Sequence, residues 1–209
     1  QARNFAHYMV KSVFTDSIWI CRLDADDEFA HSTVILDIAS TLATFDHTVS
    51  WALAGNTLEF EGELLNRTNS IDDSIMTSSG VINRLEGMAK GNPKDELPSC
   101  NLWIRTGFKA VYPDIGSAED HWLVAHLLLN YRNSGYLLEG MLHAKYTLSG
   151  GITEQNRHNG CHQKSRMDLY NSAMYWINPN PNPVRVCLGW GSEGIVWLED
   201  GWIEKHFHS

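Results

Sequence analysis

The run Leu23-Asp24-Ala25-Asp26-Asp27 constrains this chain more than any other feature. It follows the apolar residues Ile18-Trp19-Ile20-Cys21, so the pattern predicts a buried strand over 17–23 that ends at clustered carboxylates. Carboxylates packed this closely repel each other unless a cation or a loop rich in N–H groups compensates. Mg²⁺ or Mn²⁺ would suit the cluster and would also hold a substrate phosphate. A solvated acidic turn is the alternative, and this run alone does not separate the two.

Charge and cysteine content narrow the class of protein. The 209 residues suffice for one domain, or one domain with a fragment of another, and 43% of them are hydrophobic. A net charge of −9 argues against a nucleic-acid-binding surface. The four cysteines show no paired spacing, which indicates neither a disulfide framework nor a zinc site and favours a reducing cytoplasm. No apolar run is long enough to span a bilayer.

Hydrophobic periodicity predicts an α/β fold in which helices flank a mixed sheet. The expected helices are 2–14, 32–42 with Ser32 or Thr33 as its cap, 119–130 and 167–177. The expected strands are 17–23, 48–53, 57–60, 100–105 and 135–141, with 143–146 as a continuation. Ala54-Gly55-Asn56 is interpreted as a hairpin turn, and the polar stretch 66–79 as a loop.

A second acidic signal opens the helix predicted at 119–130. Glu119 and Asp120 come immediately before Trp122 and Leu123. Carboxylates in a first helical turn have a simple structural explanation, since they complement the helix dipole. Together with the first acidic run, however, they form a pattern with chemical meaning.

In this order, the motifs resemble those of the family 2 glycosyltransferases, inverting enzymes with the GT-A fold. The resemblance covers residues 1 to about 153 and rests on four short motifs in the family's order. They are Gln1-Ala2-Arg3-Asn4, Leu23-Asp24-Ala25-Asp26-Asp27, Asn101-Leu102-Trp103-Ile104-Arg105 and Glu119-Asp120-His121-Trp122-Leu123, followed by Gly135-Tyr136 and Lys145-Tyr146. The family's opening strand and the acid that reads the donor base would precede Gln1. We therefore expect a partial GT-A domain that is inactive by itself.

The resemblance implies a role for each matching residue. Asp24 and Asp26 would bind Mg²⁺ or Mn²⁺, and Asp120 would be the catalytic base. The donor, a nucleotide-diphospho-sugar, would contact Arg3, Asn4, Asp24 and Asp27. The acceptor, a glycan or lipid-linked hydroxyl, would contact Asn101, Arg105, Glu119 and Trp122. The implied activity is that of a hexosyltransferase of cell-surface polysaccharide synthesis in the cytoplasm, with room for association with the inner face of the membrane.

The chemistry agrees with these residue types. A cation would neutralise the leaving nucleoside diphosphate, and one carboxylate would take the acceptor's proton during a single in-line displacement. Asp26 and Asp120 are therefore expected to face one cleft. A glycoside hydrolase, which needs two carboxyl groups flanking the bond, is a poorer reading.

Several alternatives stay open at this point. His143 could bind metal or pyrophosphate, or could be structural, and Arg105 could pair with phosphate or with Glu119. Trp103 and Trp122 could stack on sugar rings or fill the core. A non-catalytic glycan- or nucleotide-binding module, with the acidic run as a structural turn, is the competing function.

A separate motif lies near the C-terminus. Gly189-Trp190-Gly191-Ser192-Glu193-Gly194-Ile195-Val196 resembles the glycine-rich loop of protein kinases, and Lys205 falls on the third of the strands expected at 184–188, 194–198 and 202–207. Gly189, Gly191, Gly194 and Lys205 would contact phosphates. The Asn-Pro repeat 178–183 predicts a linker, which gives the divisions 1–153, 154–183 and 184–209 and, by resemblance, a bifunctional transferase/kinase. A glycine-rich hairpin that packs on the first domain is the alternative.

Overall fold

The computed structural model of this chain describes residues 9–10, 19–24, 27–60, 63–69, 71–92, 95–98, 101–108, 112–113, 117–147, 156, 159–177, 187–191 and 194–197. Side chains are described throughout these ranges except at 58–69, 147 and 187–197. Arg3, Asn4, Asp26, Lys205 and the 178–183 linker, all named in the sequence predictions, lie outside the described residues.

A six-stranded mixed sheet forms the centre of the fold, as the α/β prediction requires. Its strands are β1 (Trp19–Cys21), β2 (Glu28–Phe29), β3 (Trp51–Phe60), β4 (Glu63–Asn69), β5 (Leu102–Arg105) and β6 (Gly135–Thr147). The order across the sheet is β1-β5-β3-β6-β2, and β4 pairs with β3 as a hairpin. Because β5 is antiparallel to both β1 and β3 while β3 and β6 are parallel, β1, β3 and β6 all run in one direction.

Helices cover both faces of this sheet. They are α1 (Val34–Leu42), α2 (Ser78–Ala89), α3 (Glu119–Asn130) and α4 (Cys161–Ile177). On one face, α1 buries Val34 and Ile38 against Ala52 and Trp103. On the other, α2, α3 and α4 close over a larger apolar cluster that contains Trp51, Leu53, Leu102 and Leu137. Alternate residues of each strand therefore face different layers, since strand side chains alternate sides.

Several predicted elements are confirmed, with small differences. The helix at 119–130 and the strand at 135–146 are found, and Met9 and Val10 are helical within the helix predicted at 2–14. Thr33 precedes α1, but its hydroxyl donates to the Asp37 carboxylate at 2.7 Å and does not cap the helix. Helix α4 begins at Cys161, six residues before the predicted start. Strand β1 is half-buried because β5 is its one neighbour in the described sheet.

Two predictions between residues 48 and 79 are wrong. Ala54-Gly55-Asn56 is no turn: β3 runs unbroken through it because β6 pairs along one side and the Asn56 side chain is buried. The predicted loop 66–79 overlaps β4, a 3₁₀ helix (Asp73–Met76) and the start of α2. The Thr77 hydroxyl accepts a hydrogen bond from the Gly80 amide at 3.0 Å, so the small polar residues here start a helix.

The C-terminal segment forms a separate two-stranded antiparallel sheet, β7 (Cys187–Gly191) with β8 (Gly194–Trp197). Gly189 and Gly191 belong to β7, and Gly191 pairs with Gly194. Two of the three predicted strands are thus present: β7 begins three residues later than predicted, and β8 begins at the predicted residue. The phosphate-binding role of the glycines stays a prediction.

Candidate functional site

Arg22 joins the two acidic motifs. Its guanidinium donates Nη1–H to Asp120 Oδ1 at 3.0 Å and Nη2–H to Asp120 Oδ2 at 2.8 Å. The same side chain reaches Asp24, with Nε 3.1 Å from Oδ1 and Nη2 3.4 Å from Oδ2. Asp24 and Asp120 come from different elements and are 96 residues apart, yet they share one cation at the carboxyl end of β1.

The sheet and a buried histidine fix the position of Arg22. Trp19 and Cys21 face α1, so Arg22, the residue after Cys21, faces the α3 side. Trp103 Nε1 donates to His143 Nδ1 at 3.1 Å, which leaves the proton of the neutral ring on Nε2 to donate to the Arg22 carbonyl at 2.8 Å. Both nitrogens of His143 are engaged, and burial lowers its pKa. This arrangement supports the structural interpretation of His143.

A backbone hydrogen bond closes the acidic run into a turn. The Asp27 amide donates to the Asp24 carbonyl at 3.1 Å, and Glu28 pairs through its side chain with Lys145 at 2.9 Å. The run therefore stays attached to the end of β6, where β2 pairs with Ala144 and Lys145. The prediction that Asp26 faces Asp120 lies outside the described residues, but Asp24 does lie beside Asp120.

Backbone strain marks the start of α3. Ala118 has φ 63° and ψ 21°, a left-handed conformation that is unfavourable for a residue with a side chain. No side chain caps the helix at this residue. The unusual turn orients the first residues of α3, so the Asp120 carboxylate points to Arg22. Strained backbone of this kind is common at functional sites.

A second ionic group adjoins the first. Glu96 forms an ion pair with Arg166 of α4, whose side chain is buried, and the Glu96 carboxylate lies 3.8 Å from His121 Nε2. Burial lowers the pKa of His121 more than the neighbouring Glu96 raises it. Glu96 thus holds α4 near the start of α3, while His121 stays neutral at ordinary pH.

The acceptor-binding predictions for Asn101 and Trp122 are not supported by their positions. Asn101 is fully buried, where it donates to the Ala54 carbonyl at 2.6 Å and to Asn56 Oδ1 at 3.2 Å and accepts from the Tyr146 hydroxyl. The ring of Trp122 is 1% exposed and packs edge-to-face on Trp176 at 5.6 Å. Both side chains are enclosed by the core, beside the buried residues Leu102 and Leu123.

Arg105 is also separated from the site. Its guanidinium donates to the backbone carbonyls of Val49 at 2.8 Å and Asp46 at 2.6 Å and lies 4.8 Å from the Trp19 ring centroid. Arg105 therefore lies on the α1 side of the sheet, opposite Asp120, and its partners are neither of the two expected ones. Glu119 starts α3 with a half-buried side chain, and its acceptor role stays a prediction.

The carboxylates suit a hard divalent cation in their chemistry, because oxygen ligands are what Mg²⁺ and Mn²⁺ prefer. Asp24 and Asp120 are close enough to share a cation, and Arg22 now supplies that charge. Among the side chains that the structure describes, no group of three metal-binding residues gathers. Asp26, the second predicted ligand, is not among them.

Sequence reasoning missed Arg22, Asn56 and the Glu96–Arg166 pair. Arg22 stands between the apolar strand and the first aspartate. A charged residue at the end of an apolar strand indicates that it has a partner of opposite charge, since charged side chains are rarely buried alone. Asn56 was missed because it belongs to the segment that was predicted to form a hairpin turn. The Glu96–Arg166 pair spans 70 residues and carries no local pattern.

Comparisons of the chain with protein-family models, curated proteins and solved structures find no match. No described helix has the length and apolar character needed to cross a membrane.

Proposed function

We propose that this chain is part of an inverting glycosyltransferase that uses a nucleotide-diphospho-sugar donor and a divalent cation. The proposal rests on one observation: Asp24 and Asp120 both accept hydrogen bonds from the Arg22 guanidinium. Two acidic motifs, each with a simple local explanation, are brought to one point by the fold. The finer fold assignment, a partial GT-A domain, belongs to the same proposal and is supported by the mixed sheet with helices on both faces.

In this function Asp24 and Asp26 would hold the cation, which would neutralise the leaving diphosphate. Asp120 accepts the proton of the attacking hydroxyl. Both of its oxygens accept hydrogen bonds from Arg22, and a carboxylate oxygen has a second lone pair that the acceptor hydroxyl could use. Arg22 thereby orients the carboxylate before the substrate binds.

One observation favours a second function. Asp24 already has a full partner in Arg22, and the Asp27 amide closes the run as a turn. An acidic run whose first carboxylate is paired and whose backbone is closed by a hydrogen bond can be a structural turn. A non-catalytic binding module therefore stays as the alternative.

Transfer and donor binding separate the two functions. In the full protein, Asp120→Asn should retain binding of UDP or GDP with Mn²⁺ while sugar transfer falls by about 10²-fold or more, since the base is lost and the shape kept. Asp24→Asn should weaken nucleotide binding in the presence of Mn²⁺. Binding is measured by calorimetry, and transfer or donor hydrolysis with radiolabelled nucleotide sugars.

Asp72→Asn is the matched control, since Asp72 is also paired with an arginine, Arg84 at 2.9 Å, on a different part of the surface. It should change neither quantity. Undiminished transfer in Asp120→Asn would remove Asp120 from the mechanism. Wild-type protein without transfer or donor hydrolysis would favour the binding module.

A further inference from the structure

A groove lies along the open edge of β6, away from the acidic site. Within the described part of the chain, β2 pairs only with the far end of β6, and no strand pairs with its outer edge from Gly135 to Leu142. The groove has a volume of about 420 Å³, within the range of small-molecule sites. Its walls come from both helical layers and from β6; the side chains that matter are Thr41, Asp73, Met76, Tyr136, Glu139 and Met141.

Tyr136 gives this groove an aromatic wall. Its side chain is 45% exposed. Phe45 packs against it with ring centroids 4.5 Å apart, which restricts the ring without covering it. A supported aromatic ring at the surface loses little conformational entropy when a flat apolar face stacks on it.

Polar groups surround that ring. Asp73 and Glu139 are exposed carboxylates, which accept hydrogen bonds. The Thr41 hydroxyl donates to the Asp37 carbonyl at 3.2 Å, and its oxygen can accept. Among the residues that the structure describes, no basic side chain lines the groove. A bound molecule therefore needs an apolar face for Tyr136 and several O–H or N–H donors for the carboxylates, and it cannot carry much negative charge.

We propose that this groove binds a neutral or amino sugar residue, stacked on Tyr136 and hydrogen-bonded to Asp73 and Glu139. A pyranose combines a C–H face with a ring of hydroxyl donors, which matches both properties of the groove. An apolar ligand would leave the two carboxylates desolvated without partners. A uronic acid or a phosphate would be repelled by them.

An extended peptide added to the edge of β6 fits less well. The pairing of β3 with β6 jumps from Ala54–Leu138 to Gly55–Leu142, so Glu139, Gly140 and Met141 bulge out. Gly140 has φ +71° at this bulge. Bulges of this kind interrupt a strand edge and protect it from added strands.

Tyr136 lies about 14 Å, three strand spacings, from Cys21 at the end of β1, because Tyr136, Ala52, Trp103 and Cys21 form one row across the sheet. Sugar binding here does not depend on transfer. Only its use as a subsite for the acceptor chain rests on the proposed function.

Saturation-transfer NMR and calorimetry on the full chain test the proposal, with glucose, galactose, N-acetylglucosamine, glucosamine, glucuronate and cellobiose as probes. A neutral or amino sugar should bind with Kd near or below the millimolar range, and glucuronate more weakly than glucose. Tyr136→Ala should weaken binding about tenfold and Tyr136→Phe much less, since the ring is what stacks. Asp73→Asn should weaken sugar binding several-fold. It should also reduce the difference in affinity between glucuronate and glucose.

Phe29→Ala is the matched control, since Phe29 is a surface aromatic, 36% exposed, outside the groove. Binding that survives Tyr136→Ala, or tighter binding of glucuronate than of glucose, would overturn the proposal. So would the absence of binding by every probe. Wild-type protein that binds sugar but transfers none would support the groove and count against the proposed transferase alone.

Discussion

Arg22 is the residue on which the candidate site depends. It pairs with two carboxylates, those of Asp24 and Asp120. The site is partly buried, with the Arg22 and Asp120 side chains 17% and 15% exposed. The two aspartates could be recognised in the sequence because each stands in a short motif of its own. Their shared partner could not, because a salt bridge across 98 residues depends on how strands pair and not on local pattern.

Arg22→Gln should leave Asp24 and Asp120 close together without a cation. We expect unfolding to become easier by about 1–3 kcal/mol, as for lost hydrogen bonds to charged groups. If these carboxylates can bind a metal, Mn²⁺ should restore part of the loss, because the ion replaces the guanidinium charge.

Thermal melts with and without Mn²⁺ measure this, with Arg84→Gln, which frees Asp72, as the control. The metal should raise the Tm of Arg22→Gln more than that of Arg84→Gln or wild type. An equal response in all three proteins would contradict a metal role for Asp24.

Ala118 stores strain just before Asp120. Ala118→Gly should stabilise the protein by up to about 1 kcal/mol, because glycine adopts the left-handed conformation without penalty. Ala125→Gly, in the interior of α3, should instead destabilise it by about 1 kcal/mol or more. Urea denaturation measures both, and a destabilised Ala118→Gly would show that this turn is not strained.

At the scale of elements, periodicity predicted the strongly patterned segments well. Helix α3 and strand β6 have long apolar repeats, and both were found near their expected bounds. Helix α2 was missed because its start, Ser78-Ser79-Gly80, has loop-like composition. Its buried residues Val81, Leu85 and Met88 nevertheless follow helical spacing. The hairpin at Gly55 was wrong because tertiary pairing outweighed the local preference of glycine for turns.

The two glycines of β6 should differ in their tolerance of a methyl group. At Gly135 a Cβ would overlap the Trp51 indole, whose Nε1 is held by the Tyr131 carbonyl at 2.9 Å. Gly135→Ala should therefore cost about 2–4 kcal/mol through a shifted core. At Gly140 the space is open and only the positive φ opposes alanine, so Gly140→Ala should cost about 1 kcal/mol.

Chemical denaturation of both variants measures this difference. A Gly135→Ala protein as stable as Gly140→Ala would mean that Trp51 can move aside, which its hydrogen bond argues against.

For the whole molecule, histidines whose pKa values are lowered by burial contribute to the response to acid. Burial lowers the pKa of both His121 and His143 below 6.5, so the unfolded chain takes up protons that the folded chain does not. Stability should be full above pH 6.5 and fall as the pH drops below it, by about 1.4 kcal/mol per pH unit for each histidine. Asp46 and Asp72, whose pKa values lie below 3.8, add their own losses only at lower pH.

Urea melts between pH 7.5 and 4.5 measure the slope. His143→Gln should reduce it by about one proton, since the contribution of His121 remains. A wild-type protein whose stability does not change over this range would contradict the buried, neutral state of both rings.

The order of strands in the sheet also has a consequence for how the chain acquires its fold. Apart from the β3–β4 hairpin, every neighbouring pair joins segments distant in sequence, and β1 pairs with a strand that begins at residue 102. Such non-local contacts slow folding, typically to milliseconds or seconds. During synthesis at about 5–20 residues per second, β1 and the acidic run wait several seconds for β5 to emerge. Arg22 and Asp24 are therefore made long before the strand β5 and the helix α3 that complete the candidate site.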